Sequence, residues 1–193
     1  MTTFYLVRHA AHDLVDRVLA GRKIDVALNS EGRRQAYTLA RQLASEPIGK
    51  VIASPRRRAK ETAEPIAAAH GISITVAPEI DEHDAGEWAG RTFETLQHDP
   101  QWRLWNERRG EARPPSGESM RDVQIRMTRY LDRLARLHPE DSIVLVSHAE
   151  PIRCVLLHDR SIPLAEFMQV DVPLASISTV WRAAARRATA EPA

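Results

Sequence analysis

Ile143-Val144-Leu145-Val146-Ser147-His148 is the most strongly apolar run in the chain, and it ends abruptly in two polar residues. Four consecutive aliphatic residues, three of them β-branched, suit a strand covered on both faces, as in a parallel sheet. Two further stretches have the same form. Phe4-Tyr5-Leu6-Val7 runs into Arg8-His9, and Val51-Ile52-Ala53-Ser54 runs into Pro55-Arg56-Arg57-Arg58. Between them lie helical patterns. Ala36, Leu39, Ala40 and Leu43 follow i, i+3, i+4, i+7 spacing behind Asn29 or Ser30 as cap. A second helix is predicted over Arg57 to Ala69, kinked at Pro65 and ended by Gly71. A long one is predicted over Ser119 to Leu137, burying Met120, Val123, Met127, Leu131 and Leu134.

Ile72 to Val76 reads as a short strand, and the alternating Ser176 to Trp181 as a half-buried edge strand. Pro78 to Gly117 is the least regular part, and a further helix follows His148. The pattern is α/β: a mainly parallel sheet with helices on both faces. Ligands in such sheets bind beyond the carboxyl ends of the strands. Arg8-His9, Ser54 to Arg58 and Ser147-His148 all leave strand ends. Two histidines and several arginines therefore meet on one rim.

Length and composition agree with one domain, 1–182, followed by a flexible tail, 183–193. The 193 residues are 43% hydrophobic and 27% charged, enough for a sizeable core. The net charge of +1 argues against a nucleic-acid or anionic-membrane surface spread over the chain. All basic residues except Lys23, Lys50 and Lys60 are arginine, 24 in number. This excess fits either a compositional bias or anion recognition, since guanidinium binds phosphate bidentately. The lone Cys154 sits in an apolar run and excludes both a disulfide framework and a thiolate zinc cluster. No run approaches the roughly 20 apolar residues of a membrane span, and Phe4 to Val7 is too short for a signal peptide. A cytoplasmic location is expected.

A phosphate on that rim would meet arginines able to neutralise charge developing in transfer, and a neutral histidine able to attack it. The second histidine, if protonated, is a further donor. Glu79, Asp81, Glu82 and Asp84 are the candidates for protonating the leaving oxygen. Taken singly, each of these residues is equally at home as a surface or core residue. It is their joint placement at strand ends that carries the signal.

Leu6-Val7-Arg8-His9-Ala10 resembles the signature of the histidine phosphatase superfamily, also called phosphoglycerate mutase-like. Ser54-Pro55-Arg56-Arg57-Arg58-Ala59 with Thr62-Ala63 is similar to a second family segment and selects Arg58 as the second phosphate-binding arginine. Ile80 to Gly90 resembles a third, with Gly86, Trp88 and Gly90 fixing the register. Pro115 to Ser119, and Val146-Ser147-His148 with Ile152-Arg153, match two more, so the likeness spans roughly Phe4 to Trp181.

The resemblance implies a three-layer α/β/α sandwich with an antiparallel edge strand. It implies His9 as nucleophile and Glu82 as general acid and base, with Asp84 as runner-up. Arg8, Arg58, His148 and the Ala149 backbone would bind phosphate. It also implies a phosphohistidine intermediate, no cofactor and no metal. His12, Arg22, His83, Arg108 and Arg109 are candidates for substrate contacts. Ala10 and Ala149 replace the usual glycines, and His12 and Val15 stand where many relatives carry threonine and asparagine. The expected activity is a phosphomonoesterase acting on a small phosphorylated metabolite. The alternatives are a cofactor-dependent phosphoglycerate mutase and, third, an inactive phosphate-sensing protein. No nucleic-acid or membrane partner is expected, and the sequence is silent on oligomeric state.

Overall fold

A computed structural model describes residues 1–183. Residues 184–193, which make up all but the first residue of the expected tail, lie outside the described residues. The elements in chain order are β1 (Thr2–Arg8), α1 (Ser30–Leu43), β2 (Ile48–Ala53), α2 (Arg57–Ala69) and β3 (Ile74–Val76). They continue with α3 (Phe93–Gln97), α4 (Pro100–Glu107), α5 (Met120–Leu137), β4 (Ser142–Ser147), α6 (Ala149–Asp159) and β5 (Ile177–Arg182). Strand order is β3-β2-β4-β1-β5. Every neighbouring pair is parallel except β1 with β5. The mainly parallel sheet with an antiparallel edge is thus present.

The sheet is apolar on both faces because successive side chains point opposite ways. Phe4 and Leu6 of β1, Ile52 of β2, and Ile143 and Leu145 of β4 face a core shared with α5 and α6. Val7, Val51, Ala53, Val144 and Val146 face the other way, onto α1 and α2. That division explains why β4 is apolar at each of its four central positions, Ile143 to Val146.

Local signals set the helix ends. Asn29 caps α1, its side chain accepting from the Gly32 N–H at 2.8 Å. Ser119 and Asp122 form a reciprocal capping box at the start of α5. All five core residues expected from this helix are buried, and Tyr130 and Ala135 join them. At the end of α2 the Gly71 N–H donates to Ala68 O at 3.2 Å and the Ile72 N–H to Ala67 O at 3.1 Å. This is a Schellman cap, with Gly71 at φ +64°. The cap takes up Ile72, so β3 begins two residues later than its apolar pattern suggests. Helix α2 runs through Pro65 without a break.

The region 78–117 holds the short helices α3 and α4 and several turns, packed around Trp88. The Trp88 ring meets Trp102 edge-on at 5.2 Å and Trp105 at 5.6 Å. Buried Cys154 has its pKa pushed well up by burial, as an inert core thiol should.

Candidate active site

Register brings the two histidines together. Arg8 pairs with Ser147 across the β1–β4 ladder, so His9 and His148 leave adjacent strand ends. The His9 N–H donates to Ser147 O at 2.9 Å, and the two rings lie 5.1 Å apart. Ala53 pairs with Val146 on the other side of β4, which places Ser54 beside the same strand end. Ser54 Oγ stands 2.7 Å from His148 Nε2 and 3.0 Å from Asp81 Oδ1. Because the hydroxyl proton is directed to the Asp81 carboxylate, His148 Nε2–H is the donor to Ser54. That leaves His148 Nδ1 as the free nitrogen, 3.4 Å from Glu82 Oε2.

His9 is buried, and its Nδ1–H donates to the Ala10 carbonyl at 2.9 Å, so the lone pair is on Nε2. Burial, then the charge of Arg58, pushes its pKa well below the ordinary histidine value, and the ring is neutral. His148 is fully buried and is held neutral by burial and by Arg58 in the same way. His12 stacks on His9 at 5.3 Å; burial, then Arg58 and Arg8, lowers its pKa to about 4.

Thr62 connects the His9 loop to α2, its Oγ accepting from the Ala10 N–H at 3.0 Å and donating to Arg58 O at 2.7 Å. Arg58, only 1% exposed, donates from Nη2 to Gly21 O at 3.0 Å and lies 3.6 Å from Glu82 Oε2. Arg8 Nη1 donates to Val172 O at 2.7 Å.

Glu82 is the carboxyl that enters this group. Burial, then the negative charge of Glu150, pushes its pKa up to about 7, against the pull of Arg58. Arg22 and Arg126 hold its backbone carbonyl at 2.6 and 3.1 Å. Asp84, the runner-up, is directed elsewhere: its carboxylate accepts from the Gly86 N–H and lies 3.8 Å from Arg22.

A cavity of about 410 Å³ opens over these groups, within the usual range for small-molecule sites. Arg8, His9, Arg58, Glu82 and Ala149 line it, as do His12, Val15, His83 and Arg109. His148 lies beneath His9 and Glu82 and does not itself line the cavity. Arg22 and Arg108 are outside the lining. Arg22 is engaged with Asp81, Asp84 and Glu118, and Arg108 is exposed at the end of α4. His83 donates from Nε2 to Glu118 O at 2.7 Å and stacks on Trp105 at 5.5 Å.

Glu150, Trp102, Asn106 and Met168 also line the cavity, although no motif singled them out. Glu150 had one visible signal, an acidic residue two positions after the second histidine. A larger groove of about 740 Å³ lies between α1 and α2, faced by Ala36, Ala40 and Ala68 and lined by none of the site histidines.

Among the described residues, seven buried side-chain polar atoms have no hydrogen-bond partner. Five belong to this site: Arg8 Nε, Arg58 Nε, Trp105 Nε1, Arg109 Nε and His148 Nδ1. Buried polar atoms are nearly always paired, so their concentration at one place, four of the five being N–H donors, marks where a ligand's polar atoms belong. His9, Glu82 and His148 also bring ligand atoms within 4.8 Å of one another, a spacing a cation could bridge. Arg8 and Arg58 in the same wall oppose a cation and favour an anion.

A mainly parallel sheet with histidines at adjacent strand ends, ringed by arginines around a half-buried carboxyl, defines a phosphoryl-transfer enzyme. The chain belongs to the histidine phosphatase superfamily, branch 1, whose model matches residues 4–190. It is a histidine phosphatase, of the class that hydrolyses phosphoric monoesters. It is 28% identical over 182 residues to phosphoserine phosphatase 1 of Hydrogenobacter thermophilus, covering 93% of this chain and 86% of that one. It is 32% identical over 184 residues to a probable phosphoglycerate mutase of Cronobacter sakazakii, covering 93% and 85%. Its fold superposes on a mycobacterial glucosyl-3-phosphoglycerate phosphatase with TM-score 0.82 and 26% identity, over 92% and 88% of the two chains. The phosphoglycerate mutase-like architecture is therefore shared. No helix among the described residues is long and apolar enough to cross a membrane.

Proposed function

We propose that the protein is a metal-independent phosphomonoesterase acting on a small phosphorylated metabolite through a phosphohistidine. His9 Nε2 attacks phosphorus in line with the departing oxygen. Arg8 and Arg58 receive the non-bridging oxygens, with the Ala149 N–H at the start of α6 as a further donor, and His148 joins them once its Nδ1 takes up a proton from the arriving phosphate monoanion. Protonated Glu82 gives its proton to the leaving alkoxide as the P–O bond breaks and the P–N bond forms. Ionised Glu82 then takes a proton from water, whose oxygen attacks the phosphohistidine and releases phosphate and neutral His9. A carboxyl with its pKa near 7 can serve in both half-reactions.

The observation that carries this reading is the convergence of unpartnered donor atoms beside a histidine whose other nitrogen is tied to the Ala10 carbonyl. Arginines already provide the positive charge a metal would otherwise supply. A single buried thiol is compatible with the cytoplasm as the working compartment.

The test is a screen of phosphorylated metabolites in a chelator, with wild type and His9→Ala in parallel, with and without 2,3-bisphosphoglycerate. Hydrolysis by wild type alone, with a phosphoenzyme trapped on His9, is expected. Full activity in His9→Ala defeats the mechanism. Phosphoglycerate isomerisation far above hydrolysis selects the mutase, and silence on every substrate selects a phosphate-sensing protein.

A further inference from the structure

We propose that Glu150, which the two-step reaction does not use, is a positioning residue that keeps the transferable proton on Glu82 and ties Arg109 across the cavity. The proposal rests on the reading of Glu82 as general acid. Glu150 lies in the first turn of α6 and shares the cavity wall with Glu82. Arg109 Nη1 stands 3.5 Å from its Oε1, and Arg153 Nη1 stands 3.6 Å from the same oxygen.

Both arginines are held by other contacts. Arg153 Nε donates to Val170 O at 2.7 Å. Arg109 lies 3.6 Å over the Trp105 ring and donates from Nη2 to Asn106 Oδ1 at 2.6 Å. Because Arg109 follows α4, its contact with Glu150 fastens the irregular 84–117 segment to α6.

Two carboxyls in one cavity titrate as a pair, and the proton settles on the one with weaker cationic support. Glu150 faces two guanidiniums. The Glu82 carboxylate has one within 4 Å, Arg58 at 3.6 Å, together with neutral His148. Burial would raise the pKa of Glu150, yet Arg109 and Arg153, with His83 and Arg8, hold it below the ordinary carboxyl range. Its fixed charge in turn raises Glu82.

The other groups around Glu82 are Arg8 and His9 from the end of β1, Arg58 from α2, Arg126 from α5, Arg22 from the loop after β1, and adjacent His83. Neighbouring Asp81 is matched by Arg56 at 3.0 Å and Arg22 at 3.7 Å. Glu150 is therefore the negative charge that decides where the proton sits.

The experiment measures kcat/KM against pH for Glu150→Gln on glycerol phosphate and on p-nitrophenyl phosphate. The aryl ester needs little proton donation because its leaving group is a weak base. Removing one charge should lower the falling limb for glycerol phosphate by about one pH unit. The ratio of the two rates at pH 8 then drops about tenfold, whereas Glu150→Asp keeps the wild-type limb. An unmoved limb in Glu150→Gln, or an equal loss on both substrates, overturns the proposal. Glu82→Gln is run alongside. If that variant keeps the limb, the acid assignment itself fails. If it loses the limb while Glu150→Gln leaves it unmoved, only the role of Glu150 fails.

Discussion

Gly86→Ala should cost both stability and activity, and the structure sets the size of each. Gly86 has φ +52°, and a Cβ placed there would stand 2.0 Å from Pro115 O and 2.7 Å from Gly117 N. Ordinary contact with those atoms requires well over 3 Å, so the 115–117 backbone must retreat by ~1 Å. Two backbone hydrogen bonds span this contact, Glu87 N–H to Pro115 O at 3.0 Å and Glu118 N–H to Asp84 O at 2.9 Å. Each is worth about 1 kcal/mol, and the left-handed backbone costs an alanine another ~1 kcal/mol. A loss of about 3 kcal/mol is expected, which in a chain of this size lowers Tm by roughly 10 °C.

The same contact anchors the segment bearing Glu82, four residues upstream. A shift of this order at a catalytic group costs roughly a hundredfold in kcat. Thermal unfolding followed by circular dichroism, with kcat measured well below the new Tm, tests both. A variant with unchanged Tm and kcat within twofold of wild type would refute the argument from close approach.

Three further outcomes follow from the site and the core. Wild-type kcat/KM for an alkyl phosphate should fall about tenfold per pH unit above pH 7, because Glu82, raised to about 7, must carry a proton for the first step and loses it as pH rises. A flat profile to pH 9 would remove Glu82 from that role. Arg58→Met should lower kcat/KM by roughly 10²–10³ and weaken inhibition by inorganic phosphate, since it deletes a buried donor; unchanged inhibition would contradict it. Trp88→Ala should lower stability by about 3–5 kcal/mol, read as a drop in urea midpoint, because the ring is 1% exposed and seats Trp102 and Trp105. A midpoint unmoved by the change would show that the aromatic cluster repacks around the gap.

The sequence carried the sheet because a fully buried strand must be apolar at every position, and Ile143 to Val146 meets that condition without help from context. Helix ends were equally local: Ser119, Asn29 and Gly71 act on their own backbone. The start of β3 was less accessible, since Ile72 is apolar like a strand residue but its N–H closes the α2 cap. At the site, the motif residues could be named from one-dimensional spacing. Which of them share a cavity could not. Arg22 and Arg108 are arginines like Arg58 and Arg109, yet carboxylates engage the first and solvent the second.

Residue type and order, by themselves, determined an α/β chain with His9 and His148 at strand ends and Arg58 a few residues beyond a third, because strand periodicity and helix capping act over a few residues. The tertiary structure decided the protonation states and the company each group keeps. Desolvation and charge act through space, so burial, and then the charge of Glu150, 68 positions away in the chain, raise the pKa of a carboxyl that the sequence shows only as one of four between Glu79 and Asp84.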